Sequence, residues 1–598
     1  SEVYGVVEET SSYLRMDGEA LRDPSQPQSN GQILCIDVRQ GSGLQAIRGI
    51  WYDGTPMTWT EEDLKTAEIT TRDIDRSDFE HFFAKEISEA PRSVSKTLQG
   101  KFDVKRSGSK KEISFNLGEE ILPNRVVEAL RQGRIRRIVF IGQGTAAVAG
   151  QACSALVGRQ LTGANVSVYG LKSSEFSGFA LSPDMTDSLV IAVTQSGTTT
   201  DTNRAVDLAI SRGAHTLAIV NRRGSDVTHK VDGVFYTSDG RDVEMSVAST
   251  KAFYSQVTAG AVLALQFARI FETMDMRDIA AGLEELRSLP AMLARIHADH
   301  GSINESAQAL APTQKHWAVV GSGPNFIAAQ EIRIKLSELC YKSIACDVVE
   351  DKKHIDLSSE PLLLVCAAGS RESVLGDLVK DVAIFKAHKA QPIVIASEEE
   401  TRFDPYAVHV LHIPRASESI SLVLCTMAGH LWGYAAARAL DKESQFFGHI
   451  RSELVARIWS GGVSQDLSRL LSDQELRGFL DLSYRDFCRR KQERRYASSL
   501  ESDTCANLAL LFKYVQGKAP LSDFVVEFDR PPTYENVVDE FLNHLGRAID
   551  DLSRPIDAIK HQAKTVTVGT SRPEGFPQGP LFDVLRELRV GVDQVGFR

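Results

Sequence analysis

Residues Thr194-Gln195-Ser196-Gly197-Thr198-Thr199-Thr200-Asp201-Thr202 put five Ser/Thr hydroxyls into the seven positions 194–200. They follow the apolar run SLVIAV and precede the helix-like AVDLAI. Such a turn aims backbone N–H groups and hydroxyls at one point ahead of a helix N-terminus, where the aligned peptide dipoles favour an anion. Ser and Thr are also good helix caps, so the same residues could merely cap the helix. Their position at the carboxyl end of an expected parallel strand, where α/β sheets bind ligands, points to a phosphate. Gly142-Gln143-Gly144-Thr145 occupies the equivalent turn after an earlier strand. It lacks the third glycine and downstream acid of a dinucleotide fingerprint and the lysine of a P-loop, so nucleotide binding is rejected. Glu244-Met245-Ser246-Val247-Ala248-Ser249-Thr250-Lys251 is another hydroxyl-rich turn before an apolar helix, where capping by Ser249 or Thr250 is an equal alternative.

Lys335 and Glu338 are i and i+3 on one expected helix, and Glu331 and Lys335 are i and i+4, so all three share a face. A surface ion-pair ladder is the default expectation for that spacing. His354 lies in the charged segment EDKKHIDL, where a lone histidine is usually solvated. The basic run from Arg485 to Arg495 reads as a solvated helix face. The eight cysteines are scattered, form no CxxC and have no metal-ligand spacing with histidines. They read as reduced, mostly buried thiols, and neither metal nor cofactor is expected.

The elements that must hold these residues alternate regularly. IVFIG, VSVYGL, SLVIAVTQ, TLAIVN and GVFYTS read as strands between helical stretches, which implies a parallel sheet. After a helical connection over about 254–310 the pattern restarts at HWAVVGSG and continues through PLLLVCAAG, PIVIAS and VHVLHIP, closing with the apolar helix SISLVLCTMAGHLWGYAAARAL. The second series suggests an internal duplication. Residues 1–75 look β-rich and too short for a good core, and residues 442–555 look helical and amphipathic. With 598 residues, 42% hydrophobic and 25% charged, the chain has the composition of several globular domains. Its net charge of −11 argues against a general binder of nucleic acid or anionic membranes. No apolar run approaches the ~20 residues that span a bilayer, no signal peptide is legible, and a cytoplasmic protein is expected.

Together these motifs resemble the isomerase half of glutamine–fructose-6-phosphate aminotransferases, a tandem of two sugar-isomerase (SIS) domains. DFEHFFAKEISEAP resembles the helix leading into the first domain, and TQSGTTTDT resembles the phosphate loop SQSGETADT. SSEF (173–176) and VASTKAF (247–253) are close matches. IKLSELCY (334–341) resembles LKLKEISY, and His354 follows Tyr341 by thirteen residues, the spacing of ELKHGPLAL. HQAKTVTV (561–568) resembles the tail LAKSVTV.

The resemblance implies two tandem α/β/α SIS domains, at 76–275 and 276–441, with a remnant of a glutamine amidotransferase domain over 1–75, a helical insertion at 442–555 and a catalytic tail at 556–598. It implies conversion of fructose 6-phosphate, with ammonia, to glucosamine 6-phosphate. Thr194, Gln195, Ser196 and Thr199 would hold the phosphate, Gly144 and Thr145 would bind substrate, and Val247 and Ser249 would lie near the sugar hydroxyls. Glu338 would move the proton between C1 and C2, assisted by Lys335. His354 would open the sugar ring from the neighbouring subunit of a homodimer or tetramer. Lys564 would form a Schiff base with the C2 carbonyl. Ammonia would come from a glutaminase domain, whose nucleophilic cysteine this sequence does not carry. The departures are Ala146 in place of a phosphate-binding serine, Ile355-Asp356 in place of Gly-Pro, and over a hundred residues, where the family has about ten, before the lysine tail. A deglycase or deaminase acting on another sugar phosphate, or a non-catalytic sugar-phosphate regulator, are the alternatives.

Overall fold

The computed structural model describes residues 12–14, 32–37, 39, 44–51, 54–60, 64–66, 76–107, 110–240, 242, 244–355, 361–460, 473–556 and 587. Apart from Ile556 and Glu587, the expected tail, Lys564 included, and Asp356 lie outside the described residues. Within 1–75, Gln32–Ile36, Ile47–Trp51 and Pro56–Met57 form an antiparallel sheet, and Ser12–Leu14 pairs with Leu64–Thr66.

The apolar runs become two five-stranded parallel sheets. In the first, β1 (Arg137–Gly142), β2 (Ser167–Lys172), β3 (Ser188–Thr194), β4 (His215–Val220) and β5 (Gly233–Tyr236) are ordered β2-β1-β3-β4-β5. In the second, β6 (Trp317–Gly321), β7 (Ala345–Val348), β8 (Leu362–Cys366), β9 (Gln391–Ser397) and β10 (His409–Ile413) repeat the order as β7-β6-β8-β9-β10. Every residue of β3, β6 and β8 is buried, as strands covered by helices on both faces must be. The strand order reverses between the first and third strands of each sheet. That leaves a crevice beyond their carboxyl ends, where ligands of such folds bind.

Helix α1 (Phe82–Leu98) leads into the first unit, where α2 (Thr145–Gln160) follows β1 and α3 (Thr200–Ser211) follows β3. The small residues of α2 let α4 (Lys251–Ile270) approach closely, and a Cβ on Gly260 would collide with Cys153. Helix α5 (Met276–Ala298) packs on α1, and α6 (Pro324–Cys340) follows β6 in the second unit, ahead of the short α7 (Val349–Ile355).

The chain departs from its sequence reading in three places. Strand β7 was not expected, because ACDV is short and only half-buried at the sheet edge. The apolar helix does not stop near 441: α8 runs unbroken from Glu418 to Ser460, across the expected start of the insertion. Its apolar stretch is long enough to cross a membrane by length and composition, but 94% of that stretch is buried inside the protein. Third, the basic run is not merely solvated. On α9 (Gln474–Gln492) and just beyond it, Arg490 and Arg495 lie 2.6 and 2.8 Å from the buried carboxylate of Glu443 on α8.

Helices α9, α10 (Ser502–Val515) and α11 (Tyr534–Leu552) surround the distal half of α8 with a separate core built on Phe447, Phe487, Phe512 and Phe541. This helical part leaves and rejoins the second unit at one place. The backbone N–H of Arg554 donates to Asp441 (3.1 Å), the Ser444 and Ser553 hydroxyls bond at 2.9 Å, and Ile556 is buried in the core shared by the two α/β units. All eight cysteines are free; four are buried, three are half-buried and Cys35 is exposed.

Candidate active site

The crevice beyond β1 and β3 holds a pocket of about 310 Å³. Gln143, Thr145 and Ala146 from the β1–α2 turn, Val193 to Ser196 with Thr199 and Thr202 from β3 and α3, and Val247, Ser249 and Gln256 from the start of α4 line it. Glu338, on α6 of the second unit, completes the wall. The pocket therefore joins a hydroxyl-rich cradle from one unit to a carboxylate from the other.

The cradle is shaped by backbone chemistry. Gly197 has φ +69°, the left-handed region that favours glycine, and a Cβ there would collide with Ser225. The Asn203 amide donates to the carbonyls of Gly197 (3.0 Å) and Thr199 (3.2 Å), and Val227 N–H donates to Gly197 (3.1 Å). Thr199 precedes α3, yet its side chain makes no capping bond. The simple capping account therefore fails for Thr199, and the first turn of α3 faces the pocket. At the third turn, Glu244 takes over the capping role: its carboxylate accepts from Thr250 N–H (2.7 Å) and from the Ser249 hydroxyl (2.6 Å). Lys251, whose charge could have served an anion, is buried between Glu89 (2.6 Å) and Asp242 (2.8 Å). Burial opposes its charge, but the two carboxylates outweigh that and hold its ammonium above the ordinary range.

Behind Glu338 the expected surface ladder is absent, because Glu331 and Lys335 are fully buried. Gly144 at φ +58° turns the chain so that Thr145 starts α2 over this pair. Lys335 Nζ donates to Thr145 Oγ1 (2.7 Å) and Glu338 Oε2 (2.9 Å), and sits 3.4 Å from Glu331. Thr145 in turn donates to Glu331 (3.1 Å). Burial pushes the Glu331 carboxyl from 4.5 up to about 7, against the opposing pull of Lys335. Burial works against the Lys335 charge as well, but Glu331 and Glu338 outweigh it and hold the ammonium above its usual range. The site thus presents a charged lysine between two carboxylates, with Glu338 reaching the pocket.

Of the residues singled out in the sequence, Thr145, Thr194, Gln195, Ser196, Thr199, Val247, Ser249 and Glu338 meet in this pocket, Gly144 forms its turn, and Lys335 lies against Glu338. His354 does not line it: the imidazole is on α7, 68% exposed and 3.1 Å from Glu350. Ile355 ends α7.

Residues 133–266 match the family model of the SIS domain. The chain carries an SIS domain. Its second α/β unit repeats the strand order of the first. The chain is similar to the glutamine–fructose-6-phosphate aminotransferase (isomerizing) of Corynebacterium diphtheriae, with 29% identity over 452 residues, 74% of this chain and 65% of the relative. It is 30% identical over 382 residues to the enzyme of the same name from Mycolicibacterium smegmatis, covering 63% of this chain and 56% of that one. The chain thus spans between 56% and 65% of the length of these two curated relatives. Among solved structures, the C-terminal domain of glucosamine-fructose-6-phosphate aminotransferase from Francisella tularensis shares the fold. Its TM-score is 0.53 at 21% identity, covering 61% of this chain and 98% of that one. The resemblance read from the motifs is borne out at this level.

Sequence reasoning missed four groups at the site. Gln143 and Gln256 line the pocket with Oε1 and Nε2 buried and without a partner, an acceptor and a donor suited to a polar ligand. Tyr254 and His430 lie behind Glu331, with Tyr254 Oη 2.6 Å from His430 Nδ1 and His430 Nε2 3.7 Å from Glu331. The usable signals were Gln143 standing in the Gly142–Thr145 turn, and Tyr254 and Gln256 lying one to two turns beyond Ser249; His430 comes 176 residues after Tyr254.

Proposed function

We propose that this chain is the sugar-phosphate isomerase part of a glutamine–fructose-6-phosphate aminotransferase, converting fructose 6-phosphate with ammonia to glucosamine 6-phosphate. The observation that carries this reading is Glu338 sharing one pocket with the Thr194–Thr199 cradle. The phosphate binds at the hydroxyls and N–H groups ahead of α3, and the sugar extends past Val247 and Ser249 toward Glu338. An aldose–ketose isomerisation must take a proton from one of C1 and C2 and return it to the other, and a carboxylate held at that carbon does both. Lys335 holds Glu338 in place and, as an ammonium, stabilises negative charge that develops on the neighbouring sugar oxygen. Gln143 and Gln256 supply the remaining polar contacts.

Lys564 serves as the amine that condenses with the C2 carbonyl, releasing water, because an imine is a better electron sink than a ketone. His354 opens the ring from a neighbouring subunit of a homo-oligomer; its exposure, away from the pocket of its own chain, supports action in trans. Ammonia comes from a glutaminase site or is taken free. Free cysteines suit the cytoplasm as the compartment.

The test is turnover of fructose 6-phosphate, to glucose 6-phosphate without ammonia and to glucosamine 6-phosphate with it. Glu338→Gln is expected to lower both rates by roughly a hundredfold or more, and unchanged turnover refutes the reading. A second reading rests on Ala146, which presents a methyl where a hydroxyl would give a further contact. It makes a different keto- or amino-sugar phosphate the substrate, and a panel in which fructose 6-phosphate has the highest kcat/KM eliminates it.

A further inference from the structure

Tyr254 and His430 are buried, and neither lines the pocket. Their geometry nonetheless ties them to Glu331. Tyr254 Oη is 2.6 Å from His430 Nδ1. His430 Nε2 lies 3.7 Å from Glu331 Oε1, and both His430 Nε2 and Glu331 Oε2 are buried without a hydrogen-bond partner. Burial, with the Lys335 ammonium nearby, holds the imidazole well below its ordinary range, so it is neutral. A neutral imidazole carries one N–H. We assign the phenol as donor to Nδ1, which gives its proton an acceptor and leaves the N–H on Nε2, facing Glu331.

We propose that Tyr254 and His430 are positioning residues for the proton transfer at Glu338, acting through Glu331 and Lys335. This rests on the isomerase reading above. The Nε2–H dipole favours the charged form of Glu331. When Glu331 is charged, Lys335 is shared between two carboxylates, and Glu338 is free to take a proton from the sugar. When Glu331 is protonated, Lys335 is left to Glu338 alone and holds its charge more tightly, so turnover falls. The groups facing this chain from the packed elements are Lys335 and Glu338 on α6, Thr145 on α2, Tyr254 on α4 with Glu244 ahead of it, and His430 on α8.

The experiment is the pH profile of kcat for fructose 6-phosphate isomerisation in the full chain carrying Tyr254→Phe, His430→Leu or His430→Gln. Tyr254→Phe removes the donor that fixes the tautomer, and His430→Leu removes the N–H. Both are expected to move the acid limb to higher pH and to lower kcat near neutrality about threefold or more, with KM unchanged. His430→Gln, whose amide can donate to Glu331, is expected to keep the limb near its original position. An unmoved limb in Tyr254→Phe and His430→Leu overturns the proposal, as does a His430→Gln profile that matches His430→Leu. If His430→Leu does not fold, Tyr254→Phe, which loses a single oxygen, decides alone. Glu338→Gln run in parallel separates the two readings. Retained turnover there removes the isomerase assignment, whereas its loss beside unmoved limbs removes only the positioning pair.

Discussion

Removing the Lys335 charge makes stability depend on pH in a direction that the site fixes. In the intact protein, Glu331 is protonated in both folded and unfolded chains at low pH. As pH rises from 4.5 to about 7, the unfolded carboxyl ionises while the folded one holds its proton, so stability falls by ~3 kcal/mol across that window. Above it both are charged, and the dependence on this group ends. Lys335→Met takes away the cation 3.4 Å from Glu331, so the folded carboxyl holds its proton to higher pH still. The variant therefore loses further stability above pH 7, by up to ~1.4 kcal/mol for each pH unit, where the parent does not. That loss is the form the cost of breaking this buried pair takes, because a neutral Glu331 leaves no unpaired buried charge at lower pH. Adding Glu331→Gln to Lys335→Met removes the titrating group, so the excess slope above pH 7 should vanish. Denaturant midpoints for the parent, the single and the double variants between pH 6 and 9 test this. A Lys335→Met penalty that is flat across that range, or a slope that survives Glu331→Gln, refutes the reasoning.

Gly197→Ala strains a left-handed position by ~1–2 kcal/mol and collides with Ser225; calorimetric titration should show weakened fructose 6-phosphate binding, and unchanged affinity would remove the loop from the phosphate site. At the second unit's switch point a carboxylate stands in place of a hydroxyl cradle: Glu418, beside the Gly323 turn, accepts from Arg371 (3.2 Å) and Arg159 (2.6 Å). One sugar phosphate should therefore bind per chain, and a titration endpoint of two contradicts this. Replacing both Arg490 and Arg495 by alanine leaves the Glu443 carboxylate buried without its two arginine partners. Melting of the helical part should drop by the equivalent of ~3–5 kcal/mol, and a loss below ~1 kcal/mol would place that carboxylate in contact with solvent.

The first sheet was legible because its three inner strands β1, β3 and β4 are apolar runs, as burial on both faces requires, while the edge strands β2 and β5 alternate. The same physics hid β7, whose four residues Ala345–Val348 are all half-buried and carry no run. Helix α10 falls inside the 442–555 stretch that reads as helical. The hydroxyl-rich cradle was legible in the sequence, since the density of its hydroxyls exceeds what one helix cap needs. Lys335 and Glu338 were ambiguous for a geometric reason. Spacings of three and four residues put charges on one helix face whether that face meets solvent or the interior, and only tertiary packing decides. The burial of Lys251 is hidden on the same ground, since its partner Glu89 comes from α1, far away in the chain. His430 could not be found at all: its role depends on contacts with Tyr254 and Glu331 across long stretches of chain, and no local pattern encodes them.

The hundred-residue helical part raised the question of how a tail beyond it could serve the pocket. Its two ends answer that. Helix α8 passes from the α/β core into the helical part without a break, so the exit is rigid. Arg554 returns to Asp441 and Ser553 to Ser444, so the chain re-enters the core beside the point where it left. Between these points the helical part has its own aromatic core and a buried Glu443 clamped by two arginines. The connection into Ile556 therefore starts where a short link from Asp441 would have started, whatever lies between. From Ile556 to Lys564 is eight residues, a reach of at most ~29 Å when extended. A step that uses this tail therefore starts from the point where the two ends of the helical part meet. Cutting the Asp441–Arg554 contact should consequently impair a tail-dependent step more than phosphate binding.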